Sequence, residues 1–403
     1  MGNHKKMKIA LVCPASLPAT QFGGILFLCV DIARESSRLG HDVTIYTTDL
    51  DFANNANTFN KNLSRLEVYD GFKINRTHTW FSFKLFFVNP GMYLQLKKDR
   101  PDIIHTIGIR SFQSLIAAIT SKRFKIPLVI SDQGGLTTHP DLHRSGILGK
   151  IVYNLQKPFL RFIINQSSRI SVPNDYEKEI FTEFASSTKI KVIRNGINLD
   201  QFSSRLPDFK SKYKVDQDFI LFVGRFAKVK GIDILLNAWN KARHDHKSIK
   251  LVIMGVDFGF ESEMLKMINE LNLSDDVLVI KKPPREDVMA AYSSCLFLVQ
   301  PSRWELSPLT PLEGFAFKKT TISTTAHGIP HTITNGQSAI LVEPENYEKL
   351  ADAISDLLNN EKKRAELGQC GYGLVHDVCN SEVMTRSIIE MYHDILNESK
   401  YLR

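Results

Sequence analysis

Three features that mark particular classes of protein are scarce or missing in this 403-residue sequence. The five cysteines form no Cys-x-x-Cys pair, which argues against a zinc site or a disulfide framework and favours reduced, mostly structural thiols. No apolar run approaches the roughly 18 residues of a membrane-spanning helix. The apolar stretch at residues 9–13 is shorter than the ~7–15 residues of a signal-peptide core. We therefore expect a cytoplasmic protein.

Clusters of arginine are also missing, although the chain is basic. The formal net charge is +8 and the pI is about 9.1, which favours an anionic partner such as a nucleotide phosphate, a nucleic acid or an acidic membrane face. Because the positive charges are dispersed along the chain, we expect no nucleic-acid partner. The length exceeds that of one typical hydrophobic core and indicates two domains.

One local pattern occurs twice along the chain. An apolar strand, a loop containing glycine and an amphipathic helix follow one another at residues 7–39 and again at residues 219–242. This order opens a Rossmann-like half. Further strands rich in Val, Ile and Leu alternate with helical patterns in both halves, as in parallel sheets covered by helices on both faces. The predicted fold class is therefore α/β, with two Rossmann-like domains.

The spacing of the two copies sets the predicted domain boundaries. The N-terminal domain is predicted at residues 1–203 and the C-terminal domain at residues 204–380. Residues 202–218 have the polar, proline-containing composition of a linker. The last helix, within residues 381–403, follows the completed second domain, and we expect it to pack back onto the first.

Two carboxylates bracket seven residues in the second domain. Glu305 follows the apolar strand 295–299, and Glu313 lies in the helix predicted at 312–318. The loop between them lies at the carboxyl end of a strand, where open α/β sheets bind ligands, and at a helix amino end, where unpaired N–H groups attract anions. Two acceptor groups beside an anion site suit a sugar nucleotide. The alternatives are two surface glutamates stabilised by the helix dipole and, less favoured without a hydrolase pattern, a glycosidase pair.

Glycines and cations occupy the loops of the two repeated patterns. Gly23 and Gly24 lack Cβ atoms, so a phosphate or a sugar can approach the backbone there, but a tight turn needs the same residues. Arg225 offers a planar fork to phosphate oxygens, and Lys230 offers a compact charge. Solvated surface cations are the alternative for this pair. The Lys-Gly order is not that of a P-loop.

Candidate sugar contacts follow two strands of the first domain. His105 closes one strand, and Gln133 and His139 come after the next. All three lie where an open sheet would face a cleft between the domains. A packed or capping histidine is the alternative for His105. Asp49 and Asp51 are spaced like a metal-binding Asp-x-Asp pair, but they close a Rossmann strand, and we expect no metal site.

Two segments combine aromatic and basic residues. One is residues 80–88, followed by Lys97 and Lys98, and the other is residues 142–162. Basic amphipathic segments can lie on anionic membrane surfaces. The favoured interpretation is helices packed on their own sheet, with a solvated cationic edge. A peripheral contact with the inner face of an anionic membrane is the alternative.

The order and spacing of these features resemble those of the retaining glycosyltransferases of family 4, which have the GT-B fold. The resemblance covers nearly the whole chain and rests on these landmarks: residues 22–24, 101–105, 192–202, 222–225, 230–231, 301–313, 335–337 and 341–342. It implies two Rossmann-like domains whose parallel sheets face each other across a cleft. The first would bind a glycan or lipid-linked acceptor, and the second would bind the nucleotide-diphosphate sugar, which is a co-substrate and not a cofactor.

The resemblance also implies a role for each candidate residue. Arg225 and Lys230 would hold the diphosphate. Glu305 would touch the transferred sugar, and Glu313 would accept hydrogen bonds from the ribose hydroxyls. The backbone would supply the remaining donor contacts, from Gly23 and Gly24 of the first domain and from Ser307, Leu309 and Thr310. No metal or protein nucleophile is needed, because the leaving phosphate would take the acceptor's proton.

Three residues depart from the family pattern. Gln133 stands where many members have a histidine that contacts the sugar, Pro308 stands where many have glycine, and His331 replaces a common glutamate. A proline offers no N–H to a ligand. Two further interpretations therefore stay open. One is another GT-B enzyme, such as an epimerase or a glycogen-type synthase, and the other is a nucleotide-sugar-binding protein without catalysis.

Overall fold

The computed structural model describes residues 6–53, 57–83, 85–132, 136, 146–202 and 205–401. Within them the chain forms two compact units. The first is made of residues from Met1–Asn195 and Ser381–Arg403, and the second is Gly196–Asn380.

The boundary between the units lies a few residues before the predicted end of the first domain at residue 203. Ile197 pairs with Asn380, and its N–H donates to the Cys379 carbonyl at 3.0 Å. At Gly196 a Cβ atom would lie 2.1 Å from the Asn380 carbonyl oxygen, so the two chain segments meet backbone to backbone. This pairing assigns the start of the predicted linker to the second unit.

The first unit contains twelve strands among its described residues. In chain order they are β1 (Lys8–Val12), β2 (Asp42–Thr48), β3 (Leu50–Phe52), β4 (Thr58–Phe59), β5 (Leu66–Tyr69), β6 (Phe72–Thr77), β7 (Phe81–Phe83), β8 (Phe86–Val88), β9 (Ile103–Ile107), β10 (Leu128–Ser131), β11 (Arg169–Val172) and β12 (Ile190–Val192). Eight form one sheet in the order β12-β11-β10-β9-β1-β2-β6-β5, parallel except for β5, which runs antiparallel to β6. The pairs β3-β4 and β7-β8 are separate antiparallel sheets.

Helices cover both faces of this sheet, which explains why its central strands are buried along nearly their whole length. The helices are Gly24–Arg38, Gly91–Asp99, Phe112–Phe124, Gly146–Gln166, Asp175–Thr182 and Ser381–Tyr401. The last helix completes the core beside β1 by inserting Met384, Ile388, Met391, Tyr392 and Ile395. The C-terminal helix therefore belongs structurally to the first unit.

The second unit has one parallel six-stranded sheet. Its strands are β13 (Asp218–Val223), β14 (Ile249–Gly255), β15 (Val277–Lys281), β16 (Leu298–Gln300), β17 (Thr321–Thr324) and β18 (Ala339–Val342). Its helices are Phe209–Tyr213, Ile232–Ala242, Glu261–Glu270, Arg285–Ser294, Leu309–Ala316, Ile329–Thr332, Tyr347–Asn359 and Glu361–Asp377. The predicted α/β class with two parallel Rossmann-like sheets is confirmed.

The strand order of this second sheet shows where a ligand can bind. The order is β15-β14-β13-β16-β17-β18, so successive connections run to one side of β13 and then to the other. The direction changes between β13 and β16, and α/β sheets bind ligands outside the carboxyl ends of the strands at such a switch point.

None of the helices among the described residues combines the length and the apolar character needed to cross a bilayer.

Candidate functional site

The loops that follow β13 and β16 meet at the switch point. Leu221 of β13 pairs with Leu298 of β16, so both loops leave the sheet at the same edge. Gly231 ends the first loop with φ at +72°, and a Cβ atom there would lie 2.0 Å from the Pro301 carbonyl oxygen. Only glycine allows this close approach without displacing the second loop. The Lys-Gly order of the sequence therefore has a packing reason.

Lys230 and Glu305 form an ion pair between these two loops, although 75 residues separate them. Their side chains are 18% and 16% exposed. The backbone of Glu305 is fixed from the other side, because its carbonyl accepts a hydrogen bond from the Gly328 N–H at 3.0 Å. The structure thus brings together two of the residues predicted from the sequence as catalytic.

Arg303 joins the same two loops from beneath. Its guanidinium donates to both carboxylate oxygens of Asp233, at 2.6 and 2.8 Å, and to the Lys228 carbonyl at 2.6 Å. It also contacts Glu345, and its backbone N–H donates to the Val229 carbonyl at 2.8 Å. The Arg303–Asp233 pair therefore holds the loop of Lys230 against the loop of Glu305.

Burial alone would raise the pKa of Asp233, but hydrogen bonds from Arg303 and Lys228 hold it below its ordinary value. A carboxylate with a lowered pKa stabilises the fold above its ordinary pKa, and this stabilisation is lost as the pH falls through the lowered value. We expect Arg303→Leu to destabilise the protein at neutral pH by about 2 kcal/mol, because Lys228 remains as a second partner of Asp233.

Thermal unfolding across pH measures this effect. The difference in unfolding temperature between the wild type and Arg303→Leu should become smaller in acid, where Asp233 becomes protonated. The double variant Asp233→Leu/Arg303→Leu should recover part of the stability, since it leaves no charge buried alone. If Arg303→Leu lowers the unfolding temperature equally at acid and neutral pH, loss of the Arg303–Asp233 ion pair is not the cause of the destabilisation.

Glu313 is buried, and both of its carboxylate oxygens accept hydrogen bonds from side chains of the second unit. One oxygen accepts from Arg285 Nη2 at 2.5 Å, and the other accepts from the Tyr292 hydroxyl at 2.7 Å. Burial and then the charge of Glu313 raise the pKa of Tyr292 well above its usual value, so the phenol stays protonated as a donor. Arg285 and Tyr292 both lie on the helix Arg285–Ser294, so one helix holds both oxygens of Glu313.

The helix Leu309–Ala316 begins directly beside this pair of loops. Its amino end carries Pro308, and no side chain caps it. Among the described residues, no group accepts a hydrogen bond from the backbone N–H of Ser307, Leu309 or Thr310. Unpaired N–H groups at a helix amino end can attract negative charge, so the role predicted for these three amides stays a prediction.

Arg225 lies on the loop after β13, close to the loop after β14. Its guanidinium carbon is 5.0 Å from the centre of the Phe258 ring. This cation–π contact orients the guanidinium at the carboxyl edge of the sheet.

The glycine pair of the first unit opens the helix Gly24–Arg38. Gly23 has φ at +107° and ψ at −164°, a conformation that is essentially restricted to glycine. A Cβ atom at Gly23 would meet no atom within 4 Å, so the backbone conformation, and not crowding, requires glycine there.

The structure corrects the prediction that His105 contacts a sugar. The ring of His105 is fully buried, with one nitrogen 2.6 Å from the Tyr392 hydroxyl and the other 2.7 Å from the Ser131 hydroxyl. Burial lowers the pKa of His105 to about 3, so the ring is neutral. His105 therefore packs in the core, held by the last helix. Gln133 and His139 lie outside the described residues.

The Asp-x-Asp pair of the first unit has local partners. Asp49 accepts a hydrogen bond from the Thr79 N–H at 3.0 Å and contacts His78 at 2.5 Å, and Asp51 accepts one from Asn60 at 3.3 Å. In the part of the chain that the structure describes, no group of three His, Cys, Asp or Glu side chains has an arrangement that could hold a metal ion.

Two family descriptions match the chain in succession. Glycosyltransferase Family 4 matches residues 22–201, and glycosyl transferases group 1 matches residues 205–374. The chain is a family 4 glycosyltransferase of the GT-B fold. It is an enzyme of the hexosyltransferase type.

Individual relatives of this glycosyltransferase are distant. It is 26% identical over 283 residues to an uncharacterized glycosyltransferase of Methanocaldococcus jannaschii, covering 68% of this chain and 71% of that protein. It is 23% identical to the N-acetyl-alpha-D-glucosaminyl L-malate synthase of Bacillus anthracis, over 98% of this chain and 99% of that protein. Its fold matches that of HepE from Anabaena, solved with UDP, at a TM-score of 0.74, 17% identity, and coverage of 96% and 100%.

Sequence reasoning missed three residues of the site in this glycosyltransferase. Arg285 and Tyr292 bind Glu313, and Arg303 joins the loops of Lys230 and Glu305. None of these three residues lies at the end of a strand, where the sequence search for site residues is informative. The only sequence signal is Arg303, which directly precedes the Trp304-Glu305 pair. Arg285 and Tyr292 have no such signal, because only the path of their helix brings them to Glu313.

Proposed function

We propose that this glycosyltransferase moves a sugar from a nucleotide-diphosphate donor to a glycan or lipid-linked acceptor, retaining the anomeric configuration and using no metal ion. The observation that carries the proposal is the Lys230–Glu305 ion pair beside the uncapped amino end of the helix Leu309–Ala316. A cation and unpaired N–H groups at a switch point suit a diphosphate.

The proposed site would stabilise the leaving group of the reaction. Cleavage of the anomeric bond leaves negative charge on the departing diphosphate. The Lys230 ammonium has three donors, of which Glu305 takes one, so two remain for phosphate oxygens. Arg225 adds a second cation at the same edge of the sheet. Because these groups are held in place before the reaction, they can stabilise the charge as it develops.

In this proposal Glu313 contacts the ribose of the donor and Glu305 contacts its sugar. A carboxylate has about four lone-pair positions, and Arg285 and Tyr292 occupy one on each oxygen of Glu313. The remaining positions can accept the two ribose hydroxyls. Glu305 would contact the transferred sugar, and Gly23 and Gly24 would contact the diphosphate.

Retention follows in this proposal from attack on the face that the diphosphate leaves. The acceptor hydroxyl forms the new anomeric bond, and its proton passes to the departing phosphate oxygen. No protein side chain then acts as a nucleophile. Lys230 and Arg225 keep the leaving diphosphate in position to accept the proton.

A donor screen tests the proposal. We expect nucleotide-diphosphate sugars of one base to raise the unfolding temperature, with UDP, GDP and ADP as the first probes because HepE was solved with UDP. The first product formed should keep the donor's anomeric configuration by NMR, and EDTA should leave the rate unchanged. An inverted product, or a rate abolished by EDTA and restored by Mg²⁺, would contradict the mechanism.

The same assay separates the other candidate functions. Release of free sugar without an acceptor indicates an epimerase or hydrolytic reaction, and a ladder of oligosaccharides indicates a glycogen-type synthase. Binding without turnover on any acceptor indicates a binding protein.

We also propose peripheral contact with an anionic membrane at its inner face. The support is the net charge of +8 together with aromatic and basic segments in the acceptor unit.

A further inference from the structure

A small hairpin in the first unit has two different faces. Its strands β7 and β8 form a sheet of their own, with three facing residue pairs: Phe81 with Val88, Ser82 with Phe87, and Phe83 with Phe86. Because side chains alternate along a strand and facing residues share a side, Phe81, Phe83 and Phe86 lie on one face. Ser82 and Phe87 lie on the other. We call residues 80–83 and 85–88 the aromatic hairpin.

The inner face anchors the aromatic hairpin to the unit. Phe87 is fully buried and packs on Phe59 and Phe22, with ring centres 5.3 and 6.2 Å apart. Its carbonyl accepts a hydrogen bond from the Gln113 side chain at 2.8 Å. These contacts hold the hairpin in place through its inner face.

The outer face is apolar and exposed to solvent. Trp80, Phe81 and Phe83 are 75%, 61% and 65% exposed, and Leu85 and Phe86 are also exposed. Single exposed apolar residues are ordinary, but five within seven consecutive residues form a patch, and patches of this kind mark interaction sites. Phe86 also contacts the Phe112 ring, with centres 6.3 Å apart, so anchoring of the hairpin explains Phe86 and Phe87 but not the exposed Trp80, Phe81 and Phe83.

The sequence around the aromatic hairpin is basic. No Asp or Glu occurs between Asp70 and Asp99 in the sequence. The helix Gly91–Asp99, which begins three residues after β8, exposes Leu94, Lys97 and Lys98. Residues three and four apart share a helix face, so these three present an apolar group beside two positive charges.

We propose that the aromatic hairpin docks the first unit onto an anionic lipid bilayer, with its aromatic side chains at the level of the headgroups and Lys97 and Lys98 against anionic lipids. This inference deepens the proposed function, because it names the surface through which the acceptor unit reaches the membrane. Tryptophan and other aromatic side chains favour the membrane–water interface. Lysines beside them gain from the negative surface potential of the bilayer.

Sedimentation with vesicles tests the docking surface. We expect the protein to pellet with vesicles of equal parts phosphatidylglycerol and phosphatidylcholine, and less with phosphatidylcholine alone or at high salt. Phe81→Ser/Phe83→Ser should reduce the partition coefficient about tenfold or more, since it removes two exposed apolar groups. The unfolding temperature should stay unchanged, because both side chains face solvent.

Val68→Ser is the matched control. Val68 is 73% exposed in the same unit, but it lies on β5 between Glu67 and Asp70. Its loss should leave vesicle binding unchanged. Trp80 provides a direct probe, since its fluorescence should shift to the blue on binding. That shift should disappear in Trp80→Phe, while Trp239, which is fully buried, contributes no change.

Two results would overturn the inference. One is equal pelleting of the wild type and Phe81→Ser/Phe83→Ser. The other is no binding to either vesicle, with self-association that the same double substitution abolishes, because the outer face would then be a protein interface. Transfer to a water-soluble acceptor should be unaffected by the double substitution. A failure of membrane docking can therefore be told apart from a failure of the proposed transfer reaction.

Discussion

Lys230→Ala is expected to lower kcat for sugar transfer about a hundredfold to a thousandfold, the range seen when one preorganised donor to a developing anion is lost. Because the ammonium is part-buried, water that enters in Lys230→Ala would stabilise the leaving diphosphate less well than the ammonium does. The loss should appear at saturating donor, because the charge matters most while the anomeric bond breaks. Initial rates of nucleoside-diphosphate release with excess acceptor measure it, and Lys230→Arg should recover part of the rate by restoring the charge.

Lys228→Ala is the matched control for this prediction. Lys228 lies in the same short turn, but its ammonium pairs with Asp233 and Glu263 and not with Glu305. We expect kcat within a few-fold of the wild type. If both alanine variants lose activity alike, disruption of the turn and not the charge of Lys230 is the cause. A rate near that of the wild type in Lys230→Ala would remove the basis of the proposed mechanism.

Glu313→Gln is expected to weaken donor binding about tenfold to a hundredfold, which corresponds to the loss of hydrogen bonds to a charged acceptor. The substitution keeps the size of the side chain. It removes the charge that Arg285 and Tyr292 share and that, in the proposed function, the ribose hydroxyls would share with them. Calorimetric titration with the nucleoside diphosphate identified by the donor screen measures the affinity. The value of kcat at saturating donor should change much less than in Lys230→Ala.

A nucleotide without ribose hydroxyls distinguishes the ribose contact from general damage. The dideoxy form of the same nucleoside diphosphate should bind Glu313→Gln and the wild type alike, since neither can use the contact. Glu348→Gln, at an exposed glutamate in the first turn of the helix Tyr347–Asn359, should leave both affinities unchanged. A dideoxy nucleotide that loses as much affinity as the natural one in Glu313→Gln would assign Glu313 a purely structural role.

Most of the fold was predictable because its signals are local. The apolar runs of β1 and β13, each followed by a glycine loop and an amphipathic helix, lie within single windows of the chain. These local patterns are sufficient to predict two Rossmann-like halves. The unit boundary was less predictable, because it depends on Ile197 pairing with Asn380, a residue far along the chain.

The candidate site was predictable to the extent that it follows strand ends. Lys230 and Glu305 each come after a strand of the same sheet, and parallel strands carry their carboxyl ends to one edge. Their meeting in an ion pair follows from this topology. The partners of Glu313 were not predictable, because Arg285 and Tyr292 reach it only through the packing of one helix on another.

The sequence by itself determined the fold class, the doubled Rossmann pattern, the loops that hold Arg225, Lys230 and Glu305, and the helix that holds Glu313. Only the tertiary structure decided which side chains are satisfied within the fold and which remain available. His105 and Phe83 show the difference. Both looked like candidates for contact with a partner, but Tyr392, 287 residues away, buries His105 in the core. Phe83 stays exposed because the contacts that anchor the hairpin are made by Phe86 and Phe87. The hydrophobic periodicity of a helix or strand is visible in a few consecutive residues. Burial depends on what the rest of the chain packs against each side chain.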